Sequence, residues 1–193
     1  MERLSAADYL REAFDILAEN GSEFLTIAHL CERLAVTKGS FYHHFGGQPN
    51  FVSQLLRYWE AEDGARLSAV SRTHPEPAAR IAALFELAAD LPHGSEAAIR
   101  AWGRSNGEVA EATERVDRRR ERYFVNAISA VGAERAQARV LGQLTVDVLI
   151  GAQQREQPVD GRRLRQLFDE VTRLIELAAD PRLVAPLTAA RAG

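Results

Sequence analysis

Residues 25–45, LTIAHLCERLAVTKGSFYHHF, decide how this chain is read. Ile27, Leu30, Cys31 and Leu34 recur at i, i+3, i+4 and i+7, a single apolar stripe along a helix. Thr26 stands just before that stripe as an N-cap, its hydroxyl placed to accept an N–H that the first turn leaves unpaired. Ala35-Val36 breaks the period. Thr37 then caps a second helix, whose Phe41 and Phe45 are four residues apart and turn toward a common core. Two short helices joined by so tight a break form a helix-turn-helix, the arrangement that lays its second helix in the major groove of DNA.

The second helix can be divided by angle, at about 100° per residue. Phe41 and Phe45 face inward. Gly39, Ser40, His43 and His44 lie on the far side, with Lys38 and Tyr42 on a flank. That outward set is short, polar and free of acid. Gly39 removes a side chain where a backbone would approach a phosphate or a base. Ser40 and His43 can reach base edges, whereas Thr37, Lys38 and Tyr42 suit phosphates, which fix register without reading sequence. The bland alternative is a solvated face on an ordinary small helix.

The run AVTKGSFYHHF (35–45) resembles the signature of the TetR family of bacterial transcriptional regulators. That pattern is a small residue, Val, Ser/Thr, Lys/Arg, Gly, Ser/Thr, an apolar residue, Tyr, any residue, His and Phe. Val36, Thr37, Lys38, Gly39, Ser40, Tyr42, His44 and Phe45 match it as they stand. Two positions depart. Ala35 stands where the family usually has Gly, so the turn must tolerate a Cβ. Gln48 stands where it usually has Lys, which makes one phosphate contact neutral. The run at residues 98–123, AIRAWGRSNGEVAEATERVDRRRERY, is similar to a segment common in one branch of these regulators. The resemblance implies an all-α chain: a three-helix head over 1–47 with DNA-binding residues Thr26, Thr37, Lys38, Gly39, Ser40, Tyr42, His43, His44 and Gln48. A larger helical sensing and dimerisation domain would follow over 48–180, then a tail over 181–193. It further implies a homodimer on a palindromic operator, released by an unidentified small-molecule effector.

Charge argues the other way at first sight. The formal net charge is −3, and Lys38 is the sole lysine. Residues 1–47 hold four basic side chains (Arg3, Arg11, Arg33, Lys38) against seven acidic ones, where a DNA binder usually shows a basic footprint. The acids cluster, however. Leu10, Ala13, Phe14 and Leu17 make an apolar face on the first helix, and Asp8, Glu12, Asp15 and Glu19 lie opposite, so the acidic stripe is expected to point away from the helix-turn-helix. The reading helix itself carries no acid. The alternative function is a helical sensor or interaction protein whose head has weakened or lost DNA binding; Gln48 and the acidic head speak for it. An enzyme is not expected, because no catalytic constellation converges.

The single Cys excludes an internal disulfide and suits a reducing, cytoplasmic compartment. Cys31 reads as a small core residue. The acids in MERLSAADYL exclude an apolar signal segment there, and no apolar stretch has the length of a membrane span. No cofactor is expected, and none of the histidines has the spacing of a metal site.

Periodicity is helical throughout. Ser5 and Asp8 make a capping pair and Gly21 ends the first helix. A fourth helix runs from Pro49 to about Arg72, and further helices are expected over 78–90, 96–104, 107–131, 133–156 and 161–179. The stretch LGQLTVDVLIGA (141–152) is apolar around nearly its whole circumference, which demands burial on every side. A partner subunit would supply it. Gly142 and Gly151 permit close helix approach. Leu141, Leu144, Val148, Leu164, Leu167, Phe168, Val171, Leu174 and Ile175 are the expected dimer interface, in a four-helix arrangement. Asp147 within that stretch must be paired with an arginine or face a cavity. Trp59, Phe85, Trp102 and Tyr123, each an ordinary core aromatic alone, fall with Asp147 in helices that the resemblance implies enclose a ligand, and so are the candidate ligand pocket. The arginines around residues 116–124 stand three or four residues after Glu111, Glu114 and Asp117, as on a solvated face.

Overall fold

A computed structural model describes residues 4–155 and 157–180. Among these residues the chain forms nine α-helices and one short 3-10 turn, with no strand. The helices are α1 (Ala6–Asn20), α2 (Ile27–Arg33), α3 (Lys38–Phe45), α4 (Gln48–Thr73), α5 (Pro77–Ala89), α6 (His93–Gly103), α7 (Gly107–Ala130), α8 (Arg135–Arg155) and α9 (Gly161–Ala179). The expected tail over 181–193 lies outside the described residues. No described helix is long and apolar enough to cross a membrane.

The helix ends follow local chemistry. The Asp8 carboxylate accepts from both the backbone N–H (2.7 Å) and the hydroxyl (2.6 Å) of Ser5 at the start of α1. Those two bonds, with Arg11 beside them, hold the Asp8 carboxyl down at about 2. Gly21, at φ +85°, ends α1, and its N–H donates to the Leu17 carbonyl at 3.0 Å. Asp160 caps α9 by accepting from the N–H groups of Arg162 and Arg163. Helix α6 starts at His93, earlier than expected, because the Ser95 hydroxyl donates back to the Pro92 carbonyl at 3.0 Å and draws Gly94 and Ser95 into the first turn.

The described residues form two compact units. One comprises the residues up to Asp63 together with Pro92–Val116. Its core joins Tyr9, Ile16 and Leu17 of α1 to Leu30, Phe41, Phe45, Phe51, Leu55 and Trp59, closed by Ile99, Val109, Ala112 and Val116. Three phenylalanines pack as a block of tilted and edge-on rings: Phe41–Phe45 at 5.1 Å, Phe45–Phe51 at 5.0 Å and Phe41–Phe51 at 5.3 Å between centroids. Truncating one such ring to Ala typically costs about 3–5 kcal/mol, so this block fixes α3 on α4.

The other unit comprises Gly64–Leu91 and the residues from Asp117 onward. Phe85 stacks on Phe168 at 4.9 Å and contacts Phe124 at 5.3 Å, around which Leu149, Leu164, Val171 and Ile175 close. Gly142 is required inside this unit. A Cβ there would meet Val125 Cγ2 at 2.7 Å and the Val125 backbone nitrogen at 3.2 Å, so it admits α7 of its own chain; Gly151 has nothing within 4 Å.

The all-round burial expected for 141–152 is only half realised within one chain. Leu141, Gly142, Thr145, Val146 and Leu149 are buried, whereas Leu144 and Asp147 are exposed. Asp147 therefore escapes the pairing or cavity expected of it, because it sits on the open side of α8.

Candidate nucleic-acid interface

The head positions α3 through its caps and its aromatic root. Thr26 Oγ1 accepts from the His29 N–H at 3.2 Å and starts α2; Thr37 Oγ1 accepts from the Ser40 N–H at 3.3 Å and starts α3. Between them the chain closes a left-handed C-terminal turn. The Val36 N–H donates to the Cys31 carbonyl at 2.9 Å and the Ala35 N–H to the Glu32 carbonyl at 3.0 Å. Ala35 occupies the left-handed position itself, at φ +52°, where glycine is the usual residue. The turn does tolerate a Cβ, at a cost in strain.

On α3, Lys38, Gly39, Tyr42 and His43 are exposed, while Phe41 and Phe45 are buried. Gly39 is not needed for packing: a Cβ there would meet only Thr37 Oγ1, at an ordinary 3.6 Å. Ser40 and His44, assigned to the outward face by angle alone, are half-buried. Both lean on Tyr9 of α1. The Tyr9 hydroxyl donates to Ser40 Oγ at 2.7 Å, and the His44 ring lies 5.3 Å from the Tyr9 ring. Gln48 is exposed at the start of α4, and its amide donates to the Leu25 carbonyl at 3.4 Å, tying α4 to the segment before α2.

The acidic stripe of α1 does not point wholly away from the helix-turn-helix. Arg33 of α2 reaches Glu12 at 2.7 Å and Glu19 at 2.5 Å. Hydrogen bonding to Arg33 lowers the Glu19 pKa, and the same bond raises that of Arg33. The stripe neutralises a cation of α2 instead of facing empty solvent, since Arg33 is long enough to cross between the helices. Cys31 is buried beneath, and burial raises its thiol pKa against the opposing pull of Lys38. It is a scaffold thiol.

The aromatic and acidic residues expected to line one pocket are divided. Trp59 and half-buried Trp102 belong to the unit that contains the head; buried Phe85 and half-buried Tyr123 belong to the other, with exposed Asp147. Two buried charges that no periodicity flagged accompany them. Glu96 is fully buried and accepts from the Trp59 indole N–H at 3.4 Å, and Arg120 is buried inside the arginine run. That run is thus not wholly a solvated face. Its neighbour Arg115 forks onto Glu60 of α4, at 2.7 Å for the shortest contact.

Of the expected interface residues, Leu141, Leu164, Phe168, Val171 and Ile175 are buried in their own chain. Leu144, Leu167 and Leu174 are exposed and Val148 half-buried, joined outside by Val140 and Leu177. Helix α9 carries two apolar stripes, one for its own core and one left open.

Residues 10–50 match the family model described as bacterial regulatory proteins, tetR family. Over 102 residues the chain is 26% identical to the HTH-type transcriptional regulator BetI of Brucella canis, covering 53% of this chain and 52% of the relative. BetI of Brucella abortus is 24% identical over the same length. The chain thus spans about half the length of the curated relatives it matches. Among solved structures, a transcriptional regulator from Rhodococcus sp. superimposes with a TM-score of 0.74 at 20% identity, covering 92% of this chain and 99% of that one. A putative transcriptional regulator from Saccharomonospora viridis in complex with choline gives a TM-score of 0.72 at 16% identity, with 86% and 93% covered.

Proposed function

We propose that this chain, whose residues 10–50 match the tetR family model, is a homodimeric repressor of that family. It reads a palindromic operator with α3 and leaves that operator when a small molecule binds. The observation that carries the reading is the surface of α3: Lys38, Gly39, Tyr42 and His43 are exposed without an acid among them, and Gly39 has no packing role in its own fold. Thr37, Lys38 and Tyr42 take the phosphate role, and Ser40 and His43 the base-edge role. We assign residues 1–47 to DNA binding and 48–180 to sensing and dimerisation. Helix α4 belongs to both, so a ligand that prefers one setting of α4 shifts the population between binding-competent and incompetent heads.

Choline, held by the Saccharomonospora viridis neighbour, is the first compound to try. The sensor alternative draws support from Gln48, whose amide is turned to the Leu25 carbonyl. Gel shifts with DNA from upstream of the chain's own gene separate the two. A repressor binds at low salt and loses binding in Lys38→Ala and Tyr42→Ala; absence of binding at low salt sinks the repressor reading.

A further inference from the structure

The Tyr9–Ser40 contact has a direction that matters for what α3 can read. Tyr9 is fully buried, and its ring is clamped by Phe45 at 5.6 Å, His44 at 5.3 Å and Phe41 at 6.3 Å. Its hydroxyl therefore stays beside Ser40 Oγ, 2.7 Å away. Of the two hydroxyls the phenol is the more acidic and the poorer acceptor, because its lone pair is drawn into the ring. The phenol donates and the serine accepts. With its oxygen so engaged, Ser40 keeps its own proton for another partner, and accepting a bond makes that O–H a better donor. Among the described residues the Ser40 hydroxyl donates no hydrogen bond of its own.

We propose that Tyr9 is a positioning residue for DNA reading, which occupies one lone pair of Ser40 and aims its O–H outward as a donor, so that α3 favours an acceptor on the duplex at that point. The acceptor is a phosphate oxygen or a purine N7 or O6 on the major-groove edge. Without Tyr9, a serine hydroxyl can donate or accept and loses this preference. The inference rests on the DNA-binding reading above.

The test uses the whole chain in whatever assembly it forms, and duplexes that the unaltered protein enriches from a randomised pool. Tyr9→Phe keeps the ring and removes only the hydroxyl. Binding is expected to weaken about 3- to 10-fold, the range of one hydrogen bond, with the helical circular dichroism and melting midpoint retained. Ser40→Ala is expected to lose as much, and Tyr9→Phe/Ser40→Ala no more than either single change, because the two act through one bond. Losses that add in the double variant would mark a merely structural Tyr9 and overturn the proposal. So would full affinity in Tyr9→Phe or in Ser40→Ala. A base acceptor relaxes the preference at one position of each half-site, in line with the base-edge role given to Ser40 above; a phosphate acceptor gives equal losses on every duplex and moves Ser40 to the phosphate set; either outcome supports the donor assignment. If the unaltered protein enriches no duplex, the DNA reading fails and this inference fails with it, a result distinct from enrichment followed by an unaffected Tyr9→Phe.

Discussion

At the scale of single residues, two small side chains in the head have opposite meanings. Ala35 is a residue with a Cβ held at φ +52°, inside a turn whose two closing bonds leave it no other conformation. The left-handed conformation costs a non-glycine residue roughly 1–2 kcal/mol, and the extra freedom of glycine in the unfolded chain returns part of that. Ala35→Gly should therefore raise stability by about 0.5–1 kcal/mol, read as a higher melting temperature by calorimetry; a lower one would mean that the turn is unstrained. Gly39 is the reverse case. Its surroundings accept a methyl group, and Ala is the better helix former by up to about 1 kcal/mol. Gly39→Ala should leave stability unchanged or higher while weakening duplex binding about tenfold or more, ~1.4 kcal/mol. Stability and binding moving in opposite directions, measured by thermal melting and fluorescence anisotropy, would locate the need for glycine outside the protein. Loss of both would place it inside.

At the scale of elements, close approach is set by Gly142, where α8 meets α7. The nearest obstacle to a methyl group is the β-branched Val125, at 2.7 Å, backed by main-chain nitrogen at 3.2 Å. Neither gives way easily, so Gly142→Ala should destabilise by about 1–3 kcal/mol as an overpacked contact, seen as a lower midpoint in urea at an unchanged slope. An unchanged midpoint would mean that α7 and α8 can part freely there. The sequence makes the helices and their caps legible because those signals are local: Ser5, Thr26, Thr37 and Gly21 act within a few residues of where they stand. Which outward residue leans on which neighbour is another matter. Ser40 and His44 look solvent-facing by angle, and only the fold brings Tyr9, thirty-one positions before Ser40, up against them. Arg33 likewise finds Glu12 and Glu19 by crossing from one helix to another. Glu96 carries no periodic signal of burial, since a charged residue on a helix reads as solvated until a packed partner such as the Trp59 indole is seen.

At the scale of the whole molecule, the open apolar strip on α8 and α9 is where the proposed homodimer would close. Val140 is 66% exposed, Leu174 44% and Leu167 41%, with Leu144 and Leu177 beside them. Single exposed leucines are ordinary, but a strip of them along two packed helices is the mark of a surface meant to be covered. A second copy offers the same strip in reverse, and a twofold axis makes such a patch complementary to itself. The double substitution Leu144→Glu/Leu174→Glu is the sharpest check, because both side chains lie outside their own core. The variant should keep its helical circular dichroism and become monomeric by light scattering, with duplex binding falling steeply. Leu164→Ala, in the inner stripe of the same helix, should instead cost about 2–5 kcal/mol of stability as a core cavity. A dimer that survives both outer substitutions would move the interface elsewhere on the chain and leave the strip to another partner.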